Sequence, residues 1–315
     1  MEKKMLNKSN RSTTMKISRQ NFIKYKYLYL MLLPGVLYII IFHYVPMFGL
    51  VISFEDYKIF KGISGSPWVG LGNFQTLFSS AKFYLVMRNT FLISIYKIVI
   101  GFPMPILVAI LINEVRNKFF MKSVQTVIYL PHFISWIVAS GLVISFLSPT
   151  DGFINNIIRF FGGAPIFFMG SSEYFRGILV VSDIWKEVGW GAIIYLAALA
   201  GVPMELNEAA IIDGANKIKR IVYVTLPYIV PTIIILLLLR IGGVLNAGFD
   251  QVFAMYNSAV YDVGDILDTY VYRVGIIETK YGFSAAVGLF KSLLAVTFLL
   301  TANWIAKRAD QESLF

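Results

Sequence analysis

The sequence predicts an all-α, polytopic membrane protein with six transmembrane helices, and three observations carry that expectation. Apolar residues fill 57% of the 315 positions, mean hydropathy is +0.69 and only 15% of residues are charged, against roughly 25% in an ordinary soluble domain. Six stretches reach or approach the 20 or so mostly apolar residues that a helix needs to cross a bilayer: 28–52, 89–112, 124–147, 178–202, 226–248 and 285–306. The basic residues, finally, fall unequally on the two sides that six spans define. Lipid accepts apolar side chains all round a helix, whereas a soluble domain of this size would lack the polar surface to cover its core.

Taken in order, residues 1–27 carry eight lysines and arginines against the single acid Glu2, the mark of a cytoplasmic tail retained by the positive-inside rule. The apolar run that follows, Leu28 to Phe54, is too long for a signal peptide and lacks a small-x-small cleavage site after it. It reads as the first span. Within the spans, Pro34, Pro46, Pro103, Pro105 and Pro131 predict kinks, which transporters tolerate where freed carbonyls face protein or a wet cavity. Asp183, Lys186 and Glu187 interrupt the start of the fourth span and leave Val188 to Val202 as its clean apolar part. Short apolar-aromatic stretches in the longer loops, Val69 to Phe74 and Phe153 to Phe160, predict short interfacial helices. With the N-terminus inside, the inner segments hold sixteen basic residues and the outer ones eight. Both termini are therefore expected to be cytoplasmic, flanking one transmembrane domain over 28–306, with a short tail at 307–315.

Composition also excludes chemistry. Cysteine is absent and the two histidines, His43 and His132, are isolated, so disulfides, thiolate metal sites and histidine clusters are not expected. The net charge of +10 does not form a basic stripe with interleaved aromatics on a soluble fold, and nucleic acid is not an expected partner. No Gly-x-x-x-x-Gly-Lys-Ser/Thr phosphate loop occurs. No bound cofactor is expected in this chain.

One inner loop differs from the rest. Residues 203–227 are mixed in charge and open on Pro203 followed by acidic residues, a composition suited to a helix N-terminus. Glu208 to Ala210 should lie in a short helix, Gly214 allows a close turn, and a second helical stretch should run to Pro227. Glu208-Ala209-Ala210-x-x-Asp213-Gly214, followed after nine residues by Val224-x-Leu226-Pro227, resembles the EAA-loop signature of permease subunits of binding-protein-dependent ABC importers, with Val224 where isoleucine is usual. Further phrases, Arg88-Asn-Thr90, Leu130-Pro-His-Phe-Ile-Ser-Trp136, Tyr270-Val-Tyr-Arg-Val-Gly275 and Ala286-Val-Gly-Leu-Phe-Lys-Ser292, resemble its carbohydrate branch and, within it, permeases for oligosaccharides. The resemblance covers nearly the whole chain.

That resemblance implies a type I importer permease fold in a bacterial plasma membrane. It implies a second permease subunit, two ATPase subunits that bind the ATP, an extracytoplasmic sugar-binding protein and surrounding membrane lipid as partners. By position, Glu208, Ala209, Ala210, Asp213, Gly214, Leu226 and Pro227 would dock the ATPase. Trp190 and Asn246 resemble positions lining the central pocket of maltose-type permeases. Trp136, Tyr195, Phe249 and Asp250 are further candidates for the sugar path, because aromatic faces stack on pyranose rings while polar groups satisfy hydroxyls. Counted at about 1.5 Å per residue, Lys97, Arg240 and Lys291 lie about 9 to 12 Å deep and Lys186 near the surface. Charge inside a bilayer marks a pathway or a paired site, so these cations either bind an acidic sugar such as a uronate, pair with Asp183, Glu187 or Asp250, or snorkel outward. A membrane enzyme would need a catalytic constellation; His132 and Ser135, expected on one helix, lack a further base. A secondary transporter would show more spans or an inverted repeat.

Overall fold

The computed structural model describes residues 25–309 and Ser313; most of the basic N-terminal tail and of the short C-terminal tail lie outside the described residues. Contacts divide the chain into two units, 1–51 and 52–315. The described residues are helical, with one isolated antiparallel bridge between Glu55 and Trp68. In order the principal helices are α1 (Lys26–Phe54), α2 (Gly72–Ser79), α3 (Ala81–Asn113), α4 (Lys118–Phe133), α5 (Trp136–Leu147), α6 (Phe153–Phe160), α7 (Ser172–Leu199), α8 (Met204–Ile212), α9 (Lys217–Gly242), α10 (Phe249–Met255), α11 (Leu267–Tyr272) and α12 (Tyr281–Arg308). The expected short helices in the loops are present as α2 and α6.

Four single helices, α1, α3, α9 and α12, are long and apolar enough to cross a membrane, and two bent pairs, α4 with α5 and α7 with α8, bring the number of spans to at most six. Their prolines are handled in two ways. In α1, α3 and α9 a five-residue π-turn ends two residues before a proline: Ile40–Tyr44 before Pro46, Lys97–Gly101 before Pro103 and Ile221–Thr225 before Pro227. A proline has no N–H to give and its ring crowds the carbonyl four residues back; widening the helix by one residue relieves that clash without breaking the span. In α3 the widened register is visible in the Phe102 N–H to Lys97 carbonyl bond of 3.1 Å. At Pro46 and Pro103, where kinks were expected, the helix is widened by a π-turn and stays continuous.

Pro131 behaves differently. It sits in a 3-10 turn, Leu130–Phe133, after which Ile134 and Ser135 are extended and Ser135 caps α5 by accepting from the Val138 N–H. The axis turns by 104°. The third predicted span is therefore two helices, and His132 and Ser135 lie on either side of the break rather than on one helix.

Two further boundaries move. The fourth span is one 28-residue helix whose charged residues sit in its middle; Lys186, about 21 Å along α7 at 1.5 Å per residue, is 5% exposed and not near a surface. The fifth begins at Lys217, earlier than expected, and stops at the Gly242-Gly243 pair, which leaves Asn246 in a turn outside the helix and exposed. α7 packs along the second half of α3, α4 and α9, while α9 packs on α12. One apolar cluster, Ala109, Ile110, Ala192, Tyr195, Leu199 and Ile229, joins α3, α7 and α9, and a second around Ile93, Phe175, Leu179, Val252 and Ile266 joins α3, α7 and the 243–280 segment.

The α4–α7 contact requires a glycine. A Cβ on Gly189 would meet the backbone carbonyl of Ile128, whereas one on Gly177 of the same helix meets nothing within 4 Å. Gly189→Ala should lower the unfolding temperature of the purified protein, equivalent to about 1–3 kcal/mol of overpacking. Gly177→Ala should leave it unchanged or raise it slightly.

Candidate functional site

Two regions carry the candidate functional residues, a short helix at one end of the bundle and a polar cavity between α3, α5, α7 and α9. Pro203 precedes α8 and Glu205 occupies its first turn, both suited to a helix start. Its end is closed by Gly214 at φ +76°. The Gly214 N–H donates to the Ile211 carbonyl at 3.0 Å and the Ala215 N–H to the Ala210 carbonyl at 2.9 Å, the paired bonds of a Schellman cap, which requires a left-handed residue at that point. Asn216 then caps α9 by accepting from the Lys219 N–H at 2.9 Å. The axis turns by 77° between α7 and α8. α8 therefore lies across the direction of α7, and an ion pair of 3.2 Å between Lys217 and Glu114 sets the α3–α4 turn at the same end.

Glu208, Ala209, Asp213 and Gly214 are exposed and Ala210 is half-buried. Around them Met204, Ile211, Ile212 and Ile218 are exposed as well, so this polar loop carries apolar side chains that a partner could cover. Leu226 and Pro227 stand apart from α8. They follow the π-turn in α9, where Leu226 packs against the Ala109–Ile229 cluster and Pro227 is exposed.

The cavity has a volume of 540 Å³ and is lined by Trp136, Asp183, Glu187, Trp190, Tyr195 and Arg240 among others. Asp183, Glu187 and Trp190 share one face of α7 because they are spaced four and three apart. Asp183 accepts from Lys97 at 2.9 Å and faces Arg240 at 3.6 Å. Lys97 is 4% exposed and also donates to the Ala247 carbonyl at 3.0 Å and to Gln251 Oε1 at 2.5 Å; Gln251 in turn donates to the Leu179 carbonyl at 2.7 Å and to Ser182 Oγ at 2.8 Å. Every polar group of this buried network has a partner, the condition under which it stabilises rather than costs.

A second network closes the break between α4 and α5. Lys186 Nζ donates to the His132 carbonyl, freed by the break, at 2.9 Å and pairs with Glu187 at 3.0 Å. His132 Nδ1 is 2.7 Å from the other Glu187 oxygen, and its ring stacks on Trp190 with centroids 4.4 Å apart. Lys186 also stands 5.2 Å from the ring centroid of Trp136. Trp190 is thereby held by the His132 ring, and Trp136 by the Lys186 ammonium.

Of the six residues expected along a sugar path, Trp136, Trp190, Tyr195 and Arg240 surround this one cavity, with Tyr195 largely buried in its wall. Asn246 is not among its lining. Lys291 pairs with Asp268 at 2.5 Å, and Asp268 lines a separate 440 Å³ cavity with Phe249 and Tyr272. Asp250 is exposed. The four intramembrane cations each have an acidic partner, which for Lys291 is one the sequence did not point to. Glu187, which lines the cavity, and His132, which backs Glu187 and Trp190 from the α4–α5 break, were missed, although the 183, 187, 190 spacing on one helix face could have found the first.

Residues 101–311 match the family model described as the binding-protein-dependent transport system inner membrane component. The chain is 46% identical over 290 residues to Protein LplB of Bacillus subtilis (strain 168), covering 92% of this chain and 91% of that one. It is 44% identical over 293 residues to the polygalacturonan/rhamnogalacturonan transport system permease protein YteP of the same organism, covering 93% and 91%. A chain in the crystal structure of a bacterial ABC transporter involved in the import of the acidic polysaccharide alginate superposes with a TM-score of 0.86 at 40% identity, covering 92% of this chain and 98% of that chain.

Replacing Lys97 by methionine strands the Gln251 and Ala247 oxygens and half of the Asp183 pairing. The folded protein recovered from membranes should fall sharply, as for a broken buried pair worth about 3–5 kcal/mol. Arg240→Gln, at the half-exposed end of the network, should leave recovery close to wild type.

Proposed function

The chain belongs to the family of binding-protein-dependent transport system inner membrane components, and we propose that it forms one half of the path for an acidic oligosaccharide through an ABC importer. It is a membrane permease and not an enzyme. The supporting observation is the position of α8. It connects α7, which carries Asp183, Glu187 and Trp190, to α9, which carries Arg240. A partner that grips α8 moves both walls of the cavity at once.

In this reading the ATPase subunits supply ATP binding and hydrolysis, and the chain holds no cofactor of its own. One ATPase docks on Glu208, Ala209, Ala210, Asp213 and Gly214: the alanines allow close approach, Glu208 pairs with a basic group, and the exposed isoleucines of α8 are covered. Leu226 and Pro227 anchor the base of α9. A second permease subunit, which completes the pair, supplies the other half of the path. The sugar arrives from an extracytoplasmic binding protein. α8 and both termini lie in the cytoplasm of a bacterial cell, as the basic residues of the inner segments support, and lipid surrounds the 28–306 domain.

The charges of the cavity support an acidic sugar. Among the described residues the three cations Lys97, Lys186 and Arg240 share two acidic partners, Asp183 and Glu187, and Arg240, sharing Asp183 with Lys97, keeps half of its side chain exposed. That guanidinium can take a carboxylate in a two-point grip, with Trp136 and Trp190 stacking on the rings. The names of YteP and of the alginate transporter support acidic polysaccharide fragments as the substrate class. Of the four cations once candidate for this role, Arg240 is the one whose geometry leaves it free to act.

Glu208→Lys, or Gly214→Val at a left-handed position, should release the ATPase during purification and reduce ATP-driven uptake at least about tenfold, with the permease still in the membrane. Arg240→Gln should reduce uptake of an oligogalacturonate about tenfold or more, the value of a lost charged hydrogen bond, while a neutral oligosaccharide of equal length is handled unchanged. Equal effects on both sugars would remove Arg240 from the recognition of charge.

A further inference from the structure

At the end of the bundle opposite α8, the segment after α1 meets the segment before α12. The ring of Tyr57 stands edge-on to that of Tyr281 at 6.1 Å, and Gly282 lies against the Glu55 backbone so closely that a Cβ there would collide with the Glu55 carbonyl. Between these segments is a cavity of 780 Å³ lined by Glu55, Asp56, Tyr57, Phe60, Glu278 and Tyr281 among others. Its charges are unbalanced in one place. Asp56 pairs with Lys58 at 3.0 Å and Glu278 with Lys280 at 2.8 Å. Glu55 is 5% exposed and its Oε2 has no hydrogen-bond partner among the described residues.

The backbone that carries this carboxylate is held in place. The Glu55 N–H donates to the Ile52 carbonyl at 3.1 Å, its carbonyl accepts from Asn73 Nδ2 at 2.9 Å, and the residue bridges to Trp68. A buried carboxylate oxygen without a partner is costly, and a cationic group entering the cavity beside Glu55 would offset that cost. In the lining, Phe60 is fully exposed and Ile59 largely so, apolar side chains of the kind buried at the core of protein interfaces. Thr279, also in the lining, holds φ +57°, a strained conformation for a β-branched residue.

We propose that this cavity is a socket for a lysine or arginine side chain of the extracytoplasmic binding protein, with Glu55 as its counter-ion and Phe60 as an apolar contact at the rim. The proposal rests on the importer reading above, since that reading supplies the partner and places it at this end. Other occupants fit less well. Among the described residues no group of three or more acidic or histidine side chains is arranged for a metal ion, and with Asp56 and Glu278 paired to Lys58 and Lys280 the lining keeps one surplus negative charge, on Glu55, which disfavours an acidic sugar.

The test is a titration in proteoliposomes. The complete transporter, with its second permease and ATPases, receives increasing concentrations of the purified sugar-loaded binding protein that stimulates the wild-type ATPase. Glu55→Gln should raise the half-saturating concentration about tenfold or more, as for truncation of one partner of a buried charge pair, with the rate at saturation retained. Phe60→Ala, at a fully exposed position that folding does not need, should raise it several-fold. If Glu55→Gln fails to accumulate, Phe60→Ala decides. Unchanged half-saturation overturns the socket, as does loss of the second permease from the Glu55→Gln complex, which would assign the cation to that subunit. Failure of any binding protein to stimulate the wild type would instead overturn the importer reading itself.

Discussion

A lysine ammonium buried among membrane-spanning helices must be matched group for group, and Lys97 is matched from three directions. Asp183 on α7 supplies the charge, while the Ala247 carbonyl and Gln251 supply acceptors from the segment that follows α9. With little water to compensate, each of these groups depends on the others. The network therefore fixes how α3, α7 and the 243–255 segment meet, and the cavity beside it inherits that geometry. Arg240 completes the set from α9 at the edge, where it remains accessible.

The same demand for satisfied polar groups explains the irregular backbone. π-turns ahead of Pro46, Pro103 and Pro227 keep α1, α3 and α9 continuous, and the one in α3 begins at Lys97 itself. At Pro131 the helix gives way instead, and the carbonyl of His132 that this frees is taken by Lys186. The break brings His132 and Trp136 against α7, where Glu187 and Trp190 meet the histidine and Lys186 meets the tryptophan. A continuous third span would have no such bend to present these residues together. α8 links the cavity to the end of the bundle, because it joins the helices that form two of the cavity walls and exposes its own apolar side chains there.

Much of this was legible in the residues. Length and hydropathy locate the spans, and Pro203, Glu208 and Gly214 announce a short helix, a close turn and a second helical stretch; the Asn216 cap that starts that stretch was found in the structure. Of the cavity aromatics, Trp190 was legible through resemblance, and Trp136 and Tyr195 as aromatic residues placed within spans. What the sequence hid depends on contacts between distant segments. Asp183, Lys186 and Glu187 look like interruptions until their partners on α3, α9 and at the α4–α5 break are known, and only then is α7 a single helix. Asn246 looks like part of an apolar span because Val244, Leu245 and Ala247 surround it; those residues are buried by the loop fold after Gly242-Gly243, not by a helix. The partner of Lys291, Asp268, lies in a segment with no pattern of its own.

The absence of cysteine from the chain makes one measurement direct. A single thiol introduced as Ala209→Cys on α8 can be challenged with a membrane-impermeant maleimide in sealed vesicles of either orientation, before and after the ATPase is stripped and rebound. The account predicts labelling only in inside-out vesicles from which the ATPase has been removed, and protection once it returns. Labelling from the outer face, or labelling that the ATPase does not change, would contradict α8 as the point where the energy of ATP enters this protein.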